Sequence, residues 1–315
     1  EPEYWSIPGD MTIGVYAHEL GHAAFGLPDL YDYGYDSAGL GTWSLMAGGS
    51  WNGPMGSSPS YPDAWSHIQM GFINPTIITT NASTQSINQV ETFSQAFLLW
   101  KDGIVGKQYF LVENRQKTSY DYYLPSSGML IYHVDENVYN NDDQTHYLVA
   151  LEQADGLNNL ENNNNNGDTG DPFPGNSNNF NFSYNTNPNS LDYSKNFTGV
   201  SVKNISNSSA TMISDFEVNS NIELLTLISP NGGESLIAGE NFDIKWISNN
   251  VSNVKIEYST NNGASWNSIH SSFQANLRTY SWLIPNTISS NCKIKITSNE
   301  NSSLSDESDN VFSIV

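Results

Sequence analysis

Residues 13–25 place apolar side chains in a helical rhythm, with Asp10 as a prospective N-cap and Gly26 and Pro28 as stop signals. A second, shorter helix is predicted over 62–70. From residue 76 the rhythm changes to short β-branched and aromatic runs between turn signals: 108–113 (QYFLVE), 128–134 (GMLIYHV) and 146–151 (HYLVAL). An Asn-rich tract, 158–166, interrupts them and is predicted to be a mobile loop. After Ser229-Pro230-Asn231-Gly232-Gly233-Glu234 come about seven short alternating runs. Val254, Ile256 and Tyr258 share one face there, as do Cys292, Ile294 and Ile296, and an Asn261-Asn262-Gly263 turn leads to Trp266. That spacing predicts a β-sandwich of immunoglobulin or fibronectin type III kind. The expected class is α+β, divided into 1–75 with the helices, a β-rich stretch 76–222 and the sandwich 223–315.

Charge narrows the function classes. Thirty-three acidic residues against 11 basic ones give a net charge of −22, which repels phosphate backbones and argues against nucleic acid as a partner. Carboxylates in such excess keep a chain soluble or hold divalent cations. Cys292 is the single cysteine, so no intrachain disulfide can form; its simplest role is as a small buried apolar residue. No apolar run is long enough to span a membrane.

The chemistry concentrates at His18-Glu19-Leu20-Gly21-His22. On a helix, positions i and i+4 lie one turn apart on one face, so both imidazoles can bind one zinc ion. Glu19, beside His18, is then placed to take a proton from a water that the ion activates. Two histidines packed as core residues would leave Glu19 unexplained. A third ligand from a later helical Glu has no candidate, because the next Glu is Glu91, outside any helical pattern. A Gly turn after the second His, with a ligand a few residues on, is the other known arrangement, and Gly26 and Asp29 fit it.

The run His22-Ala-Ala-Phe-Gly-Leu-Pro-Asp-Leu-Tyr-Asp32 resembles the immune inhibitor A family of metallopeptidases, of the metzincin clan. The resemblance continues through Trp43-Ser-Leu-Met-Ala-Gly-Gly-Ser-Trp51, Pro62-Asp-Ala-Trp-Ser-His-Ile-Gln-Met-Gly-Phe72 and Val112-Glu-Asn-Arg115. It goes on through Leu130-Ile-Tyr-His-Val-Asp135 and the Gly167–Gly175 loop, covering roughly residues 10–218. It implies a zinc endopeptidase, secreted by a bacterium and acting on protein or peptide substrates, in which an Asp replaces the third His and Met46 forms a Met-turn beneath the metal. One departure is that three residues, not two, separate His22 from Gly26. The extra residue rotates the helix end by about 100°, so Asp29 leads as third ligand unless displaced, with Asp32 and Asp36 as alternatives. Tyr61 is either an oxyanion donor or an ordinary packed tyrosine.

Asp168 and Asp171 bracket Gly170 in a turn that can wrap calcium, with Asp155 and Glu152 as candidate partners; a solvated acidic loop is the other reading. The resemblance implies calcium as well as zinc. His133 and His146 are read as structural. A metzincin builds an upper subdomain before its zinc helix, needing roughly 60 residues or more, whereas 17 precede His18 here. That subdomain is therefore expected to be missing from this chain, which is expected to be monomeric and, alone, a poor or inactive protease. The competing class is a non-catalytic, calcium-stabilised extracellular adhesion protein, against which the joint presence of His18, Glu19 and His22 argues.

Overall fold

A computed structural model describes residues 12–315. The chain divides into two compact units, one described from Thr12 to Tyr193 with Thr198–Asn219, the other comprising Ser194–Phe197 and Ser220–Val315.

In the first unit α1 spans Ile13–Phe25 and α2 Ala64–Gln69. The predicted N-cap of α1, Asp10, lies outside the described residues; Thr12 occupies the N-cap position, and its hydroxyl donates to the Met55 carbonyl. The buried stripe of α1 is Gly14, His18 and Gly21. Its apolar residues Ile13, Tyr16 and Leu20 are exposed instead. The helix thus packs through small residues, which let it approach its neighbours closely. At the second helix, Asp63 caps α2 by accepting from Ser66 N.

The strands of this unit are β1 (Thr76–Ile78), β2 (Ala82–Asn88), β3 (Phe97–Leu99), β4 (Gln108–Arg115), β5 (Gly128–Asp135), β6 (Val149–Leu151), β7 (Val200–Lys203) and β8 (Thr211–Val218). They form a five-stranded sheet, β1-β3-β4-β5-β6, and a three-stranded sheet, β2-β8-β7. Strands β4 and β5 pair antiparallel, Tyr109 opposite Val134 and Leu111 opposite Tyr132. Their side chains alternate between two cores, as a pleated strand requires. Tyr109, Leu111, Leu130, Tyr132 and Val134 join Leu27, Leu30, Trp43, Met46 and Trp65 in one cluster. Phe110, Val112, Met129 and Ile131 join Val200, Val202, Met212 and Phe216 of the smaller sheet in the other. Residues on both sides of position 75 therefore share a core, and β4 of the large sheet packs against α2. The third predicted run is strand only over Val149–Leu151, because His146 N and Leu148 N bond back to Asp143 and Asn140 in a turn.

The tract 158–166, predicted as a mobile loop, has a defined conformation. It is a closed turn: Leu160 is wholly buried, Asn162 N donates to Asn158 O, and Asn159 N donates to Gln153 Oε1. One apolar residue anchors it while the asparagines satisfy backbone groups locally.

In the second unit lie β9 (Leu224–Ser229), β10 (Ser235–Leu236), β11 (Asn241–Asn249), β12 (Asn253–Ser259), β13 (Asn267–Gln274), β14 (Thr279–Leu283), β15 (Ser289–Ser298), β16 (Ser305–Glu307) and β17 (Phe312–Ile314). One sheet runs β10-β17-β15-β12-β13 with β16 on β15, the other β14-β11-β9. Both contribute to a single core in which Trp246 and Trp282 meet Val254, Ile256, Cys292, Ile294 and Phe312. Cys292 is fully buried there, as a small apolar residue would be.

Candidate metal centre

Helix α1 ends at Gly26, whose φ of 68° is left-handed and suits glycine. Gly26 N donates to His22 O at 2.9 Å and Leu27 N to Gly21 O at 3.3 Å. This reversal absorbs the additional residue after His22 and brings Asp29 back over the helix. Asp29 Oδ1 lies 2.9 Å from His18 Nε2 and 3.2 Å from His22 Nε2, and the two Nε2 atoms are 3.1 Å apart. The alternatives do not join them. Asp32 is occupied by Gly34 N and by the Ser37 backbone and hydroxyl, and Asp36 hydrogen-bonds Asp32.

The tautomers follow from the partners. His18 Nδ1 is 2.9 Å from Leu45 O, and His22 Nδ1 is 2.6 Å from Leu27 O. A carbonyl only accepts, so each Nδ1 carries the proton and each Nε2 presents a lone pair. Three lone-pair atoms then converge, and with both imidazoles neutral the buried Asp29 Oδ1 receives no hydrogen bond. Such a cluster is repulsive unless a cation sits among its members. In the metal-free protein a proton on His18 Nε2, shared with Asp29, relieves the repulsion. Burial pushes the His18 pKa down, but the hydrogen bonds to Asp29 and Leu45 and the charges of Asp29 and Glu19 outweigh it, and the pKa is raised. Burial likewise opposes ionisation of Asp29, yet bonds from His18 and Tyr33 with both imidazole charges hold its pKa below the usual range. Zinc fits the same position, since a tetrahedral ion with bonds of about 2.0–2.1 Å spaces its ligand atoms by about 3.3 Å.

Support comes from residues whose role the sequence did not disclose. Tyr33 donates its hydroxyl to Asp29 Oδ2, and that bond, then burial, raises the Tyr33 pKa to about 12. Tyr31 stacks on His18 with ring centroids 6.2 Å apart. Both sit in the run Leu30–Tyr35, where only the alternation of tyrosines hinted at a shared face. Met46 is wholly buried beneath the helix, and a Cβ on Gly21 would stand 2.6 Å from its sulfur. Arg115, buried between Glu113 and Asp121, donates to the carbonyls of Trp43 and Tyr61 and so ties β4 to the segment that carries Leu45 and Met46. The Tyr61 ring faces His67 and Tyr120.

Glu19 is exposed and, with His18, Tyr31, Trp51, Asn163 and Asn166, lines a cleft of about 410 Å³. Among the described residues a second cluster has metal-ligand spacing: Asp155, Asp168 and Asp171, with oxygens within 4.8 Å of one another. Glu152 is not in it; it lies 3.4 Å from His133 Nδ1. His146 pairs with Asp135 at 2.9 Å. None of the described helices is long and apolar enough to cross a membrane.

Residues 2–74 match the family described as "Immune inhibitor A peptidase M6, catalytic domain". The "Pre-pro-metalloprotease PrtV" of Vibrio cholerae is 36% identical over 103 residues, 31% of this chain and 11% of the relative. "Immune inhibitor A" of Bacillus thuringiensis subsp. alesti is 39% identical over 77 residues, 24% of this chain and 11% of the relative. The chain thus covers 11% of the length of these relatives. A solved beta-1,2-glucanase from Parabacteroides distasonis aligns over 76% of this chain and 38% of its own at 12% identity, but its TM-score of 0.18 is too low to bear on the fold. Residues 2–74, which carry the three converging donors and Glu19, are thus the part of the chain that is similar to the immune inhibitor A peptidase M6 catalytic domain.

Proposed function

We propose that the protein is a secreted, monomeric, zinc-dependent endopeptidase acting on protein or peptide substrates, with His18, His22 and Asp29 as zinc ligands and Glu19 as general base. The observation that carries the reading is the convergence of two lone-pair Nε2 atoms and one unpartnered carboxylate oxygen within 3.2 Å at the edge of a cleft. Zinc, when bound, supplies a Lewis acid at the open side of these donors. The chain does the rest. Leu45 and Leu27 carbonyls fix the imidazole orientations, Tyr33 fixes the Asp29 carboxylate, and Met46 supports α1 from below. Glu19, one residue from His18, holds its carboxylate at the cleft wall. There it accepts a proton from the attacking water and returns it to the amine that leaves.

Three further parts of the reading rest on the second cluster and on the sheets. Asp168 and Asp171, joined by Asp155, are assigned to a calcium ion; the buried, unpartnered Asp171 Oδ1 supports this, since oxygen-rich turns are what calcium takes. Residues 1–75 act as the catalytic portion and 76–222 as its β-rich support, of which Ser194–Phe197 and 220–222 fall in the second unit. The second unit, two sheets around one core, is read as an immunoglobulin or fibronectin III-like module. A purely adhesive protein would have no need of the three donors.

The test is Glu19→Gln in the zinc-loaded protein. Zinc stoichiometry stays at one per chain while chelator-sensitive cleavage of casein falls by about 10²–10⁴-fold. Loss of zinc together with activity would assign Glu19 to ligation instead, and retained cleavage would remove it from the chemistry.

A further inference from the structure

We propose that the cation held by Asp155, Asp168 and Asp171 sets the shape of the substrate cleft, by fixing the 158–166 turn that forms one of its walls. The inference rests on the assignment of a cation to these carboxylates. It adds that the ion controls substrate binding and not only stability.

The connection can be followed bond by bond. Asp171 is fully buried; its Oδ2 accepts from Trp43 Nε1 at 2.7 Å and from Asp168 N at 2.8 Å, while its Oδ1 has no hydrogen-bond partner. Asp168 Oδ2 in turn accepts from Asn165 Nδ2 at 2.7 Å and Asn159 Nδ2 at 3.1 Å, so one carboxylate oxygen grips both ends of the asparagine turn. The far side of the turn is fastened to the loop after α1. Leu160 O accepts from Ala38 N at 2.9 Å, Asn166 O accepts from Thr42 N at 2.7 Å, and Asn163 Nδ2 donates to Tyr35 O at 3.0 Å. Asn163 and Asn166 then line the cleft that holds His18 and Glu19.

Three carboxylates with oxygens within 4.8 Å repel one another when ionised. Without a cation the strain is relieved by moving the two partly buried members, Asp155 and Asp168, and movement of Asp168 draws the two asparagine anchors with it. A divalent cation removes the repulsion and locks the turn. Of the zinc donors, His18 and His22 stand on α1, and Asp29 just after it is tied through Leu30 N, which donates to Met46 O at 2.8 Å, to the segment whose Trp43 is independently held by the core and by Arg115. The ion therefore acts on the wall and leaves the zinc donors in place. Its kinetic signature is a change in KM with kcat nearly constant.

The experiment follows hydrogen exchange of the whole 315-residue chain, stripped of metals and reloaded with one zinc, while calcium alone is titrated. Exchange in peptides spanning 157–167 is expected to slow at least about tenfold, with the same midpoint as the calcium-induced rise in Tm. Asp155→Asn keeps the Asn159 and Asn165 bonds to Asp168 but removes one charge from the cluster, and is expected to abolish both responses. If calcium raises Tm and Asp155→Asn cancels the rise, yet exchange over 157–167 does not change, the coupling is wrong while the cation site stands. If calcium changes neither Tm nor exchange, the cation assignment itself fails and the coupling with it. With a peptide substrate, a calcium effect on kcat in place of KM would also overturn the proposal.

Discussion

Gly21→Ala tests whether Met46 supports the metal helix by contact. The added Cβ would stand 2.6 Å from Met46 Sδ and 3.1 Å from its Cε. Ordinary non-bonded separation is about 3.5–4.0 Å, so the thioether must retreat by about 1 Å. Met46 is wholly buried among Leu27, Leu30 and Trp43, so it has no open space to enter. Overpacking of this kind costs about 1–3 kcal/mol, against which replacing a helical glycine returns up to about 1 kcal/mol. The net expectation is a loss of about 1–2 kcal/mol, or a Tm lower by about 2–8 °C for a unit of this size. The assay is thermal unfolding of the zinc-loaded protein, repeated in a Met46→Ala background. There the new methyl enters space the methionine has vacated, and Gly21→Ala should be neutral or stabilising. A Tm that rises equally in both backgrounds would show helix propensity alone and refute the packing argument.

Tyr33→Phe removes the hydroxyl that holds Asp29 Oδ2 and is expected to weaken zinc binding by about 10–100-fold with little change in Tm; unchanged affinity in a competition titration would deny Tyr33 this role. Burial pushes Glu113 to about 7 and Glu91 to about 8. Above the ordinary carboxylate range the native state therefore keeps protons that the unfolded chain has lost, and stability falls as pH rises through that window. Tm measured from pH 5 to 8 should show a downward contribution that Glu113→Gln flattens, since Gln keeps an acceptor for Arg115 and Tyr132. Identical slopes for the two proteins would contradict the assignment.

The sequence by itself set His18 and His22 on one face with Glu19 beside them, because the i, i+4 spacing and the adjacency are properties of any α-helix. It also marked the end of α1 through Gly26, the strands β4 and β5 through their apolar runs, and the alternating character of residues 223–315. What it left open was everything that depends on where the chain goes after a turn. Spacing counted an extra residue before Gly26 and left Asp29, Asp32 and Asp36 as competitors; beyond the left-handed reversal at Gly26 it is Asp29 that lies against the two imidazoles, and no linear count contains that geometry. The buried face of α1 was hidden for a related reason. Close approach to Met46 selects the glycine and histidine stripe, while Ile13, Tyr16 and Leu20 stay exposed. The asparagine tract reads as a disordered composition. Tertiary contacts at Leu160 and Asp168, invisible to composition, close it into a wall of the cleft. Local pattern fixes what a segment can be, whereas its partners, which come from distant stretches of chain, decide what it does.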